Sequence, residues 1–499
     1  VNKIILISSS ALLATSPALA QELERTIDPQ MATPESPGES YLAKKFKLSK
    51  TEARKRMKLQ AEAETLATDL AVKYPDIFLG VDIQHEPVYQ VTASFSSDAK
   101  ANEVRAMVPA GLRSVFKTRV SKFDPASSQA MTDELTKLLS GRDASIYFSY
   151  DKDRFVVQAD EEAVNEVKAL IPPSMRSDVT VQKGNPSRKL QTNATTAEWI
   201  YGGWNHYRVE NGNQLHCTFA FSARDSSGQP VMVTAGHCPG TRYNAQQNSG
   251  KTLTFASPTS ANYDKNGYDS TRGRSYDFKL IPIPDVSTAP EVYFFNNVTG
   301  SYNYYDYDNT KSPPWVFKTR NWANVQSGLP ASGGRIHITN TLVNTATSGT
   351  SNPSHPKGAA RCKSGNTTGV TCGIIVASSV NENNTEGQTF YGLVKVGDAT
   401  EDVIAWGGDS GGAVFSQPVW NSTNSRYEAT AAGVVTSATW KPVHPMFNTP
   451  TNQYGIRPCH TYYDGGCEMN YMPIDRINDF MPAVILIRSG ASGATGKTP

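Results

Sequence analysis

Gly408-Asp409-Ser410-Gly411-Gly412, with Thr234-Ala235-Gly236-His237-Cys238 far upstream, are the two stretches from which this chain is read. A serine hydroxyl is a weak nucleophile near neutral pH. A base must take its proton, and fixed donors must meet the negative charge that develops on the attacked oxygen. The glycines around Ser410 suit the second need, because backbone without Cβ atoms can turn sharply and aim N–H groups at one point. The amides of Gly408 and Ser410 are the expected donors. His237 is the expected base, and strand-like Val231-Met232-Val233-Thr234 runs into it.

Composition narrows the setting. A net charge of +2 with 19% charged residues gives no reason to expect nucleic acid or an anionic membrane as partner. Lys3, the apolar run Ile4 to Leu13, and Ala18-Leu19-Ala20 before Gln21 have the layout of an export signal over residues 1–20. That run is too short to span a bilayer. The expectation is a secreted protein, extracellular or periplasmic. All six cysteines, Cys217, Cys238, Cys362, Cys372, Cys459 and Cys467, lie in the later part of the chain. An even number after an export signal argues for disulfides. Paired short Cys or His spacings are lacking, so neither a metal nor another cofactor is expected.

At 499 residues the chain exceeds one usual domain, and residues 21 to 195 have a pattern of their own. Gln21 to Ser40, rich in Pro, Glu and Ser, reads as loose. Ser49 with Glu52 makes a capping box, and Leu59, Ala63, Leu66 and Leu70 recur at helical spacing until Pro75. An internal repeat follows. Asn102-Glu103-Val104-Arg105-Ala106-Met107-Val108-Pro109 is echoed by Asn165-Glu166-Val167-Lys168-Ala169-Leu170-Ile171-Pro172. Each copy follows a strand-like stretch, Tyr89 to Phe95 and Arg154 to Ala159, so a strand-plus-helix unit is used twice.

The histidine and serine motifs, in that order, resemble chymotrypsin-family serine proteases, and more narrowly the bacterial streptogrisin and alpha-lytic branch. Arg361-Cys362-Lys363-Ser364-Gly365-Asn366-Thr367-Thr368-Gly369-Val370-Thr371-Cys372-Gly373 is similar to the segment that carries a short disulfide hairpin in that branch. The resemblance implies an all-β domain of two six-stranded Greek-key barrels over 196–488. It also implies a triad in the chain order His, Asp, Ser, so the acid lies between His237 and Ser410. Asp277, in Ser275-Tyr276-Asp277-Phe278-Lys279-Leu280-Ile281, opens an alternating apolar run and is the leading choice. Asp264 and Asp269 compete from an Asn-, Gly- and Ser-rich stretch that reads as an exposed loop. The family pattern implies Cys217 with Cys238 and Cys362 with Cys372. Cys459 and Cys467 are then left for each other, without a family counterpart. Asp409 is the acid that a basic side chain of the hairpin neutralises in this branch. Lys363 stands where Arg is usual, and lysine cannot supply a bidentate fork, so that pairing stays open.

The leading helix and repeated α/β unit resemble the pro-regions of the same branch. An α+β pro-domain over 21–195 is implied, a folding aid and inhibitor removed on maturation. Barrels dominated by non-local contacts meet a loop-closure cost before they gain stability, which a templating domain can offset. The junction is expected between Lys183 and Trp199. Arg188-Lys189-Leu190 and the stretch 193 to 196 are both open as processing sites, and Ile200-Tyr201-Gly202-Gly203 resembles the start of mature members.

On the same analogy Ile404 lies where trypsin-like members carry an acid, which implies an apolar first pocket. Thr436, Ser437 and Ala438 form the edge on which a peptide lies as an added strand. The cysteine usual near Trp406 is missing. Two stretches, 283–358 and 438–468, are insertions relative to the branch. Within the first, Asp306 and Asp308 raise the question of calcium, but the full calcium-loop pattern is absent and a decorated strand pair is expected. The Gly- and Ser-rich end, 489–499, reads as a flexible tail. The expected function is a monomeric secreted serine endopeptidase acting through an acyl-enzyme, its partners protein or peptide substrates and its own pro-region. The alternative is an exported peptide-binding protein on a protease scaffold, occluded by its N-terminal domain.

Overall fold

A computed structural model of the chain describes residues 37–97, 101–160, 162–184, 187–188, 200–210, 213–238, 242–246, 252–256, 264–283, 288–294, 301–307, 315–321, 334–342, 349, 351–383, 389–397, 404–424, 426–442, 456–459, 466–480, 484–488 and 494–497. The expected export signal, the processing stretch 193 to 196 and Asp308 lie outside them. Among the described residues no helix is long and apolar enough to cross a membrane.

The N-terminal segment follows its repeat, on a larger scale than the sequence shows. Ser49 caps helix Lys50–Lys73, its hydroxyl accepting from the Glu52 N–H. Strands Phe78–Gln84 and Gln90–Phe95 pair antiparallel, helix Ala101–Met107 follows, and Phe116–Val120 returns parallel to the second strand. The second copy repeats every step: helix Pro125–Leu138, antiparallel strands Ala144–Ser149 and Arg154–Ala159, helix Val164–Leu170, then parallel strand Val179–Lys183. The unit is thus helix, strand, strand, helix, strand. Its third strand is partly exposed at an edge, with too little apolar pattern to be read in advance. Part of the stretch expected to be loose, Pro37 onward, belongs to helix Pro37–Lys45.

Beyond residue 200 the described chain is largely β. Asp264–Asp269, Arg274–Pro282, Pro230–Thr234, Ser222–Arg224, Val484–Arg488 and Ala494–Lys497 form a six-stranded sheet in that order. Two corrections follow. The stretch 264 to 269 is a strand and not a loop, its polar residues tolerated because it is the exposed outer strand of a hairpin with Arg274–Pro282. Ala494–Lys497, within the expected flexible tail, pairs with Val484–Arg488, since backbone hydrogen bonds need no apolar side chains. In the first insertion, Ser301–Tyr307 and Trp315–Asn321 form a strand pair.

The N-terminal segment shares a sheet and cores with the rest. Strand Ala144–Ser149 pairs antiparallel with Gly369–Asn383, joining both parts in one fourteen-stranded sheet. Tyr41, Leu42, Ala53 and Met57 pack in one apolar cluster with Phe221, Phe415 and Met472. Leu59, Ala63 and Leu66 pack in a second with Val394, Val435 and Tyr471. Polar groups cross the same boundary. Gln60 accepts from the Ala360 N–H at 2.7 Å and donates to its carbonyl at 3.2 Å. Fully buried Arg361 meets Glu64 at 2.7 Å. Asn383 donates to the Thr136 carbonyl near the end of helix Pro125–Leu138 and to the carbonyl of its C-cap Leu139, at 3.1 Å each. His85, stacked on Phe46, holds the Gly358 carbonyl through Nε2 at 3.0 Å.

Removing one member of a buried ion pair strands the other charge, at a cost of about 3–5 kcal/mol. Glu64→Ala is expected to destabilise the full chain by about that amount in urea unfolding, whereas Glu64→Leu combined with Arg361→Met recovers most of the loss. Burial pushes His85 down from 6.5 to about 4. Between those values the unfolded chain binds the proton and the folded chain does not, so this group's contribution to stability is full above pH 6.5 and is lost as pH falls towards 4. The stability difference between wild type and His85→Gln, measured by urea unfolding across that range, is expected to shift against wild type as the solution is acidified.

Candidate active site

Strands Pro230–Thr234 and Arg274–Pro282 pair antiparallel, with Thr234 opposite Lys279. His237 lies just past the end of the first strand and Asp277 lies on the second. The His237 N–H donates to Asp277 Oδ1 at 2.8 Å, and His237 Nδ1 lies 2.9 Å from Oδ2 and 3.1 Å from Oδ1. An ionised carboxylate only accepts, so the ring proton sits on Nδ1. That leaves the Nε2 lone pair facing Ser410 Oγ at 2.9 Å. The Asp277 side chain is fully buried and that of His237 is 2% exposed. The Cys217–Cys238 disulfide, with sequence separation 21, ties the histidine turn to the earlier strand Asn213–Thr218; a loop of that size is worth about 3 kcal/mol.

The competing acids have other partners. Asp264 pairs with Lys279 at 3.1 Å. Asp269 accepts from the Thr271 N–H at 2.8 Å and caps the hairpin turn.

The loop around Ser410 is held at every peptide. Thr218 N–H donates to the Ser410 carbonyl at 2.7 Å, and Gly411 N–H to Val435 at 2.8 Å. The Thr218 hydroxyl donates to the Gly408 carbonyl at 2.6 Å. Gly408 and Gly411 have φ of +95° and +82°, the left-handed region that glycine enters without strain. A Cβ at Gly411 would also lie 2.1 Å from Thr234 Oγ1. Among the described residues, neither the Gly408 N–H nor the Ser410 N–H donates to a protein acceptor.

Asp409 turns away into the interior. Lys363 Nζ meets its Oδ2 at 2.9 Å, both side chains being fully buried. The Thr368 hydroxyl and the Trp406 N–H also donate to Oδ2, at 2.5 and 3.0 Å. Oδ1 accepts from the N–H groups of Thr367 and Thr368 at 2.8 and 3.1 Å. A lysine reaches one carboxylate oxygen where an arginine fork spans two, and here backbone amides serve the other. Thr367, Thr368 and Thr218 carry no motif of their own that marks them as site residues. The first two lie in the quoted hairpin motif, but the groups their hydroxyls donate to, the Gly407 carbonyl and the Asp409 carboxylate, are distant in sequence.

The remaining predicted residues divide. Ile404 is buried in the apolar cluster that holds Ile375, Val396 and Trp406, and its carbonyl accepts from Thr371. Thr436, Ser437 and Ala438 lie on strand Arg426–Pro442. One side of that strand pairs with Met469–Pro473, and on the other Ala438 and Thr439 pair antiparallel with Arg188 and Ser187. The Cys362–Cys372 and Cys459–Cys467 disulfides are formed. Among the described residues, the group of His, Cys and acid side chains within ligand reach of one another is His206, Cys217 and Cys238. With both sulfurs in a disulfide it offers no thiolate to a metal.

No protein-family model matches the chain, and no curated protein does either. Solved structures show a distant likeness. Thermobifida fusca Protease A is 20% identical, with a TM-score of 0.30, covering 57% of this chain and 96% of that one. The Nocardiopsis protease is 18% identical, with a TM-score of 0.30, covering 56% and 96%. Cellulomonas bogoriensis chymotrypsin is 20% identical, with a TM-score of 0.28, covering 56% and 93%. Similarity of this degree leaves the chemistry to be decided by the side chains themselves.

Proposed function

We propose that this chain is a serine endopeptidase of the chymotrypsin-like kind, made as a precursor. One observation carries the proposal: Asp277, His237 and Ser410 form a continuous hydrogen-bonded chain, and among the described residues the N–H groups of Gly408 and Ser410 in the serine's own loop donate to no protein acceptor. In such a chain Ser410 Oγ attacks the substrate carbonyl carbon while His237 Nε2 takes the hydroxyl proton. Asp277 holds the imidazolium, and the N–H groups of Gly408 and Ser410 stabilise the oxyanion. The proton then passes to the leaving amine as the peptide bond breaks. Water repeats the sequence on the acyl-enzyme, releasing the acid and restoring the hydroxyl. The catalytic residues are therefore His237, Asp277 and Ser410.

The finer features belong to the same proposal: two barrels over 196–488, secretion after loss of residues 1–20, and an N-terminal segment removed on maturation. Three disulfides fit an oxidising compartment. Ser187–Arg188 lies antiparallel along Ala438 and Thr439, which is how a peptide substrate adds to an edge strand. This arrangement supports self-processing near the linker, and Ser410 is fully buried in the full chain, as a latent precursor requires. Apolar surroundings at Ile404 favour an apolar residue on the acyl side of the cut bond.

A serine-directed fluorophosphonate, with mass spectrometry over time, tests the reading: labelling at Ser410 together with loss of the N-terminal segment is expected. An intact, unlabelled chain that binds peptides would instead support the occluded binding protein. Ser410→Ala is expected to lower turnover by about six orders of magnitude and to leave the precursor uncut.

A further inference from the structure

The turn Trp406-Gly407-Gly408-Asp409 is closed by the Asp409 N–H donating to the Trp406 carbonyl at 3.0 Å, and Gly408, its third residue, has φ of +95°. A closed four-residue turn with positive φ at that place, and not at the residue before it, Gly407, is the type II form. Types I and II differ chiefly in which way the central peptide faces. Here that peptide carries the Gly407 carbonyl on one side and the Gly408 N–H on the other, since a trans peptide points the two in opposite directions. The same turn in its type I form would set a carbonyl oxygen where the oxyanion donor is needed.

Glycines at both central positions leave that flip sterically cheap, so something outside the turn must choose. Thr367 Oγ1 donates to the Gly407 carbonyl at 2.5 Å. Thr367 is itself fixed. Its N–H is held by Asp409 at 2.8 Å. The neighbouring Asn366 N–H donates at 3.0 Å to the Thr218 hydroxyl, which in turn donates to the Gly408 carbonyl. The Cys362–Cys372 disulfide closes the hairpin whose turn carries them.

We propose that Thr367 is a positioning residue whose hydroxyl latches the Gly407–Gly408 peptide in the orientation that presents the Gly408 N–H to the substrate oxygen. The latch rests on the serine-peptidase reading. Thr367 acts on the far side of the peptide plane from the reaction, by keeping one donor in place before substrate arrives. Preorganised donors are worth most because they need no rearrangement when charge develops.

Thr367→Val keeps the shape of the side chain and the backbone N–H on Asp409 while deleting the hydroxyl. In the matured enzyme, acting on a peptide p-nitroanilide with phenylalanine at its acyl end, this variant is expected to lose about tenfold to a hundredfold in kcat. KM should change by less than about threefold, because ground-state binding does not use the latch. A peptide aldehyde, which forms a tetrahedral adduct with the serine, is expected to bind more weakly by the same factor as kcat/KM falls. Thr367→Ser, which restores the hydroxyl, is expected to return to within about threefold of wild type. Self-processing of the full chain provides a second readout with the same ranking, and circular dichroism of Ser410→Ala chains with and without Thr367→Val checks that folding is unchanged. Near-normal kcat in Thr367→Val, or a loss that Thr367→Ser does not restore, would overturn the latch alone. A wild-type chain that neither cleaves peptides nor labels at Ser410 would overturn the peptidase reading and the latch with it.

Discussion

A carboxylate sealed from water cannot remain ionised without compensation, and Asp409 is the point where this chain meets that demand. Its two oxygens draw donors from Lys363, Thr367 and Thr368 in the disulfide hairpin and from Trp406 in its own loop. Isolated buried charge costs many kcal/mol, so registers of hairpin against loop that leave an oxygen unmet are strongly disfavoured. The surviving register sets Ser410 in front of His237 and brings the Thr367 hydroxyl to the Gly407 carbonyl. The geometry of the candidate site thus follows from an electrostatic constraint located behind it.

The same logic separates what could be read from the chain from what could not. Features encoded locally were legible: the Ser49 cap, the repeated strand and helix, and the glycines that permit the turn at Ser410. Asp277 and the three cysteine pairs were reachable only through the resemblance, and the structure brings each of those pairs and the Asp277–His237 contact together. Asp264–Asp269 has the composition of a loop because an outer strand of a hairpin needs no apolar face. Thr218 and Thr367 are hidden from the sequence for a different reason. A threonine hydroxyl has no sequence signature of its own, and each finds its carbonyl only after segments far apart in the chain have met.

The contact between the N-terminal segment and the rest has a mixed character that bears on the proposed release. Part of it is apolar, through Leu42, Met57 and Leu66. Much of it is polar. Lys395, fully buried, meets Glu382 and Glu468 within its own half and also Ser145 and Gln158 of the N-terminal segment. Burial opposes its charge, yet the two carboxylates hold its pKa above the usual lysine value. If the segment departs, Lys395 keeps both acids and exchanges only neutral partners for water. Arg361 is placed otherwise, because its carboxylate partner, Glu64, belongs to the segment that would leave.

On the proposed precursor reading, that asymmetry would give the two halves different fates on separation. An ion pair broken in the interior strands a charge, but one broken as an interface opens gives both charges back to solvent, and the desolvation penalty that opposed their burial is recovered. Polar contacts across such a boundary therefore specify register while the parts are joined and add little resistance to their parting. Apolar contacts do the reverse, since the surface they expose has no compensating hydration. On the proposed precursor reading, a segment that templates a fold and then leaves is best held by directional bonds as well as by apolar contact. Strand Ala144–Ser149, helix Lys50–Lys73 and the Asn383 contacts to the end of helix Pro125–Leu138 supply such bonds.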